Sequence, residues 1–207
     1  MGNAHQQNPL RLFAAVELAE DARRAAAAHA ALLRETLPPG ARVGWERAEK
    51  LHLTLKFFGG VEPGRAGALA EALARCAAGV RPFALCLEGA GVFPAPARPS
   101  VIWLGLSDPS GELARLHARI EDECAAANFP RDQRPFHPHV TLARVRSATR
   151  ETRSLARQHL EHAFAPVAFE VSEITLMSSR LAPGGSVYTP LSRHALEAGS
   201  ARTPDQT

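Results

Sequence analysis

The chain is short of several features, and each shortage closes off a class of function. Only two of its 24 basic residues are lysines, Lys50 and Lys56. A ligase that forms a lysine–nucleotide intermediate needs its lysine inside a nucleotidyl-transfer motif. Neither lysine stands in one, so that chemistry is excluded. The excess of Arg suits bidentate phosphate recognition, although abundant Ala beside it fits a compositional bias equally well. Cysteine is scarce: Cys76, Cys86 and Cys124 are an odd number without a C-x-x-C pair. All three fall at apolar-periodic positions, so they read as buried free thiols and not as disulfides or zinc ligands. No run of like basic charge resembles a duplex-binding arm. No apolar stretch approaches the roughly 18 residues of a membrane span, and residues 1–9 lack a signal-peptide core. These absences lead us to expect a soluble, cytoplasmic protein. Its 207 residues with 45% hydrophobic content are enough for one domain with a substantial core.

What the chain does have is one short pattern twice. His52-Leu53-Thr54-Leu55 and His139-Val140-Thr141-Leu142 place their histidines 87 residues apart (139 − 52). With nine His and nine Thr in the chain, chance gives roughly 0.4 H-x-T triplets and roughly 0.05 with Leu following; two copies are then about a one-in-a-thousand event. Both lie in apolar, β-prone runs where side chains alternate between faces, so His and Thr at i and i+2 share a face. Alternation puts His52, Thr54 and Lys56 together in the first copy and His137, His139 and Thr141 in the second. Pro138 cannot donate a ladder bond, so the second motif strand starts there or lies at an edge.

Two imidazoles across a cleft can serve as base and acid, each typically worth about 10² to 10⁴ in rate. Thr54 and Thr141 can donate hydroxyl hydrogen bonds to phosphate oxygens. Five residues after each histidine stand Phe57 and Arg144. Their odd offset aims them away from the cleft in a regular strand, so either both are structural or a bulge or strand end recurs at the same place in both copies. His137 and His139 could be two metal ligands, but no carboxylate cluster, D-x-D or H-E-x-x-H stands nearby to complete a site. The other histidines (His5, His29, His117, His159, His162 and His194) fall in tails or helical stretches and are expected to be solvated.

Along the chain, strands are expected at 10–18, 42–46, 50–58, 82–90, 100–106, within 131–146, at 166–178 and at 187–191. Helices are expected at 20–36, at 63–78, from Ser107 and Asp108 to before Pro130, and at 150–162. Residues 91–99, with three prolines, read as a loop. The order suggests an α+β fold of two pseudo-symmetric β-α-β-β lobes, with antiparallel sheets facing a central cleft. The expected limits are a disordered tail at 1–9, one bilobal domain at 10–192 and a frayed polar tail at 193–207.

HLTLKFFG at 52–59 and RPFHPHVTLAR at 134–144 resemble the paired signatures of the two-histidine phosphoesterase superfamily. More narrowly, they resemble its RNA 2′,3′-cyclic phosphodiesterases, historically called 2′-5′ RNA ligases. RLFAAVEL (11–18), GVFPAPARPSVIWLGL (91–106) and VSEITLMSSRLAPGGSVYTPL (171–191) extend the similarity over about residues 10–192. The resemblance implies a bilobal α+β fold, no metal or other cofactor, and opening of a 2′,3′-cyclic phosphate at an RNA end to leave a 2′-phosphate. By position, His52 and His139 become the catalytic pair, Thr54 and Thr141 phosphate ligands, Arg144 a phosphate-binding arginine and Phe57 a base-stacking aromatic. His137 is at most a supporting residue. A monomer acting on RNA ends, without a membrane partner, is the expectation. The same residues leave two rivals open: an ATP-independent ligase that runs the reaction backwards, and a module that binds RNA ends without turnover.

Overall fold

A computed structural model describes residues 8–37, 39–183 and 185–197. Its helices form where an apolar stripe and suitable ends coincide. Helix α1 (Glu20–Glu35) has acidic residues in its first turn and Arg34 in its last, which complements the helix dipole; it buries Ala22, Ala26, His29, Ala30 and Leu33. Helix α2 (Ala66–Ala77) follows a one-turn 3₁₀ helix opened by Pro63, and it buries Leu69, Leu73 and Cys76. Helix α3 (Glu112–Ala126) buries the expected stripe of Leu113, Leu116, Ile120 and Cys124, and also Glu121. Asp108 caps it from outside, its Oδ2 accepting from the backbone N–H groups of Leu113 (2.9 Å) and Ala114 (3.3 Å). Helix α4 (Arg150–Glu161) starts on a reciprocal capping box between Thr149 and Thr152.

The strands are β1 (Leu10–Glu17), β2 (Val43–Trp45), β3 (His52–Val61), β4 (Phe83–Ala95), β5 (Arg98–Ser107), β6 (His139–Val145), β7 (Val167–Val171), β8 (Glu173–Ala182) and β9 (Gly185–Ala195). They form one antiparallel sheet in the order β7-β4-β5-β6-β3-β1-β8-β9, with β2 beside β6. The two halves therefore share a sheet, and the motif strands β3 and β6 are innermost. They meet through the pair Leu53↔Val140. Helices α2 and α3 pack on the β3-β1-β8-β9 half, and α1 and α4 on the β4–β7 half. The core lies between helices and sheet; Leu12, Leu53, Leu104 and Leu142 are fully buried there, each burial being worth about 1.5–3 kcal/mol.

The fold class is the expected α+β, but its path differs in three places. The stretch 166–178 is two strands separated at Ser172: β7 pairs with β4 and β8 with β1. The chain thus passes from one half of the sheet to the other, and the spatial halves are not its first and second halves. Residues 91–99 extend the β4–β5 hairpin, with Pro94 opposite Pro99 beside a register shift. Prolines are tolerated there because the ladder is interrupted. Lastly, the tail expected from 193 instead continues β9 to Ala195, because Leu196 has a place in the core and is buried. Arg193 also forms ion pairs with Glu17 and Glu173. The remaining tail residues, 1–7 and 198–207, lie outside the described residues. Among the described residues, no helix is long and apolar enough to cross a membrane.

Candidate active site

The sheet face away from the helices carries the repeated motif, and a matching irregularity shapes both copies. Thr54 and Lys56 stand opposite consecutive residues of β1, Ala15 and Ala14, which leaves Leu55 extra. Thr141 and Ala143 stand opposite consecutive residues of β5, Trp103 and Ile102, which leaves Leu142 extra. Each extra residue lies three positions after its histidine. A bulge changes the parity of the strand beyond it. Leu55 and Lys56 both turn inward, as do Leu142 and Ala143, and Phe57 and Arg144 come round to the face of His52 and His139. The odd offset of five is thereby resolved in favour of the bulge.

The same parity change corrects one expectation. Lys56 does not share the cleft with His52 and Thr54; its side chain is 1% exposed and paired with Glu121 of α3. The cleft, of about 550 Å³, draws its cations from Arg11, Lys50, Arg134 and Arg144. His52, Thr54, Phe57, His139, Thr141 and Arg144 all line it, so the six residues singled out from the sequence come together.

Both imidazoles are held the same way. His52 Nδ1 lies 2.6 Å from the Lys50 carbonyl oxygen, and His139 Nδ1 lies 2.7 Å from that of His137. A carbonyl can only accept, so each Nδ1 carries a proton, and in the neutral ring Nε2 is left with a lone pair. Thr54 Oγ1 donates to His52 Nε2 at 3.1 Å. Burial lowers the pKa of His52, the Lys50 carbonyl works against it, and Arg144 lowers it further. His139 is lowered by burial, raised by the His137 carbonyl, and lowered by His137 and Arg144. Such a site can pass protons at two Nε2 atoms and bind anionic oxygens with hydroxyl, ammonium and guanidinium donors. Among the described residues, no group of three His, Cys, Asp or Glu converges as a metal ion requires.

A family model described as the 2′-5′ RNA ligase superfamily matches residues 22–182. The chain belongs to that superfamily. Within the 2′-5′ RNA ligase superfamily it is 34% identical over 184 residues to the RNA 2′,3′-cyclic phosphodiesterase of Methanothermobacter thermautotrophicus, covering 88% of this chain and 96% of that one. A Thermus thermophilus crystal structure superposes with a TM-score of 0.71 at 27% identity, over 92% of this chain and all of the other. Escherichia coli LigT complexed with 3′-AMP gives a TM-score of 0.69 at 30% identity, over 91% and 98%.

Several residues of this superfamily member's cleft were not evident from sequence. Tyr188 of β9 stands edge-on to His52, with centroids 5.3 Å apart, and burial raises its pKa. Phe13 of β1 packs against His52, Phe57 and Tyr188. The Arg11 guanidinium lies 5.6 Å from the Phe57 ring centre. Glu46, just past β2, lies 3.7 Å from Arg144 Nε. His137 contributes its carbonyl, and its ring packs on Trp103 and Phe93. A signal existed for β1, since Phe13 lies on the face opposite Leu12 and Ala14. None existed for β9, whose place beside β8 depends on the crossing at Ser172.

Proposed function

We propose that this protein hydrolyses 2′,3′-cyclic phosphates at RNA ends to 2′-phosphomonoesters, by general acid–base catalysis between His52 and His139 and without a metal. The observation that carries this reading is the matched pair of clamped imidazoles in one cationic cleft. Water attacks phosphorus and loses a proton to Nε2 of His139. The bond from phosphorus to the 3′ oxygen breaks, and Nε2–H of His52 protonates that oxygen. The side assignment follows the one difference in local charge. Arg144 disfavours a cation on either ring and His139 disfavours one on His52, but only His52 has a carboxylate, Glu17, acting against this, whereas His139 has His137 and no carboxylate. Thr54, Thr141 and Arg144 hold the non-bridging oxygens, and Phe57, 44% exposed, offers its ring to the terminal base. The catalytic unit is a single domain, 10–192 by sequence and continued to Glu197 by β9 and Leu196. It acts as a cytoplasmic monomer on RNA.

The protein incubated with EDTA and an oligonucleotide ending in a 2′,3′-cyclic phosphate is expected to yield the 2′-monoester. Activity that chelation abolishes and zinc restores would overturn the metal-free reading. His52→Ala and His139→Ala are each expected to lower turnover about 10²-fold or more with the fold intact. Release of the 3′-monoester would reassign the leaving oxygen.

A further inference from the structure

The buried ion pair between Lys56 and Glu121 is used by none of the chemistry above. Lys56 Nζ lies 2.7 Å from both carboxylate oxygens of Glu121, and their side chains are 1% and 9% exposed. Burying two such charges carries a large desolvation cost before their attraction is counted, and apolar replacements of a buried pair are often neutral or stabilising. Stability alone does not account for the pair. Its position does.

Glu121 reaches past Lys56 to the segment that delivers the second motif. Its Oε2 accepts from the Asp132 backbone N–H at 3.2 Å. Among the described residues, 130–138 make no backbone–backbone hydrogen bond, so this acceptor is a principal polar anchor of the segment. Asp132 in turn accepts from the Arg134 backbone N–H (3.0 Å), Nε (3.1 Å) and Nη2 (2.8 Å), holding Arg134 at the rim of the cleft. One turn before Glu121, His117 stacks on Phe136 with centroids 3.9 Å apart and planes at 9°. The next residue, His137, provides the carbonyl that clamps His139. The exposed Arg131–Asp122 pair on the same segment is of the kind that contributes little.

We propose that Lys56 and Glu121 are positioning residues: a strut from the first motif strand, through α3, that fixes the segment presenting His137, His139 and Arg134. The consequence for catalysis rests on the reading above, in which His139 takes the proton of water; the geometric consequence does not. His52 is the internal control, since its clamp, the Lys50 carbonyl, does not pass through Glu121.

The test is the double variant Lys56→Met/Glu121→Met, which removes both charges together and keeps volume. Imidazole ¹⁵N spectra of the native protein should show both histidines as the Nδ1–H tautomer. In the folded double variant His52 should keep that signature while His139 shows averaged tautomers, and kcat should fall about tenfold through misplacement of one group. A loosened fold would disturb both histidines. A folded double variant with His139 unchanged and turnover within about twofold of native overturns the proposal. Should the double variant not fold, Asp132→Pro deletes the anchored N–H with the buried pair intact, Asp132→Ala loses the same carboxylate but keeps the N–H, and the same two spectra compared between them decide. If the native protein does not turn over cyclic phosphates, the proposed activity falls, and the tautomer comparison still decides the positioning role.

Discussion

At the scale of single residues, the cleft is a problem in proton placement. Both histidines have depressed pKa values, so in the free protein both are largely neutral above pH 6.5, the ordinary imidazole value. A base that must be neutral and an acid that must be charged then coexist best between two depressed values. The optimum of kcat/KM, which reports the free protein, is expected below pH 6.5. A bound phosphate anion favours imidazolium, so the kcat profile should lie at higher pH than the kcat/KM profile. Paired pH–rate measurements check this, and a kcat/KM optimum near pH 8 would contradict it. The sequence made the two histidines and two threonines legible because i, i+2 alternation does not depend on the rest of the fold. Lys56 was misplaced because alternation was carried one step too far.

At the scale of elements, the bulge decides which side chains meet substrate. Arg144 reaches the cleft because Leu142 and Ala143 both turn inward, Ala143 packing with Ile102 and Leu155. Arg144→Ala is expected to weaken phosphate binding about tenfold or more, the loss of a charge-assisted hydrogen bond worth about 1.5–3 kcal/mol. Adding Ala143→Arg to that variant is expected not to restore affinity, because position 143 faces the helices. Calorimetric titration with phosphate checks both variants, and recovery in the second would mean that the strand alternates regularly. The repeated odd offset at Phe57 and Arg144 was the sequence trace of this device. It left two readings open, because spacing records parity but not where a ladder gains a residue.

At the scale of the whole molecule, the histidines expected to be solvated include two that are buried. His29 of α1 and His159 of α4 are 3% and 0% exposed. His159 Nε2 donates to the Trp103 carbonyl (2.9 Å), so its Nδ1 accepts from His29 Nε2 (3.1 Å). Burial, then His159 and His162, lower the pKa of His29 to about 4. The unfolded chain therefore binds a proton that the folded chain resists between pH 6.5 and 4. The stability this site contributes is intact above 6.5 and is lost as pH falls through that window, by up to about 3 kcal/mol. Melting temperatures should fall accordingly, and His29→Gln, which keeps a donor for His159, should flatten the slope. An unchanged slope would place the acid sensitivity elsewhere. The periodicity already held the clue, since His29 lies on the stripe of Ala22, Ala26 and Leu33. By contrast, the crossing at Ser172 leaves no mark, because 166–178 reads as one uninterrupted strand and only long-range pairing divides it.

The two clamps on Nδ1 are made by main-chain oxygen atoms, at Lys50 and His137. A codon change at either position replaces a side chain and leaves the carbonyl where it was. Substitution at these two positions can thus retune binding and charge while the tautomer of each ring is inherited unchanged.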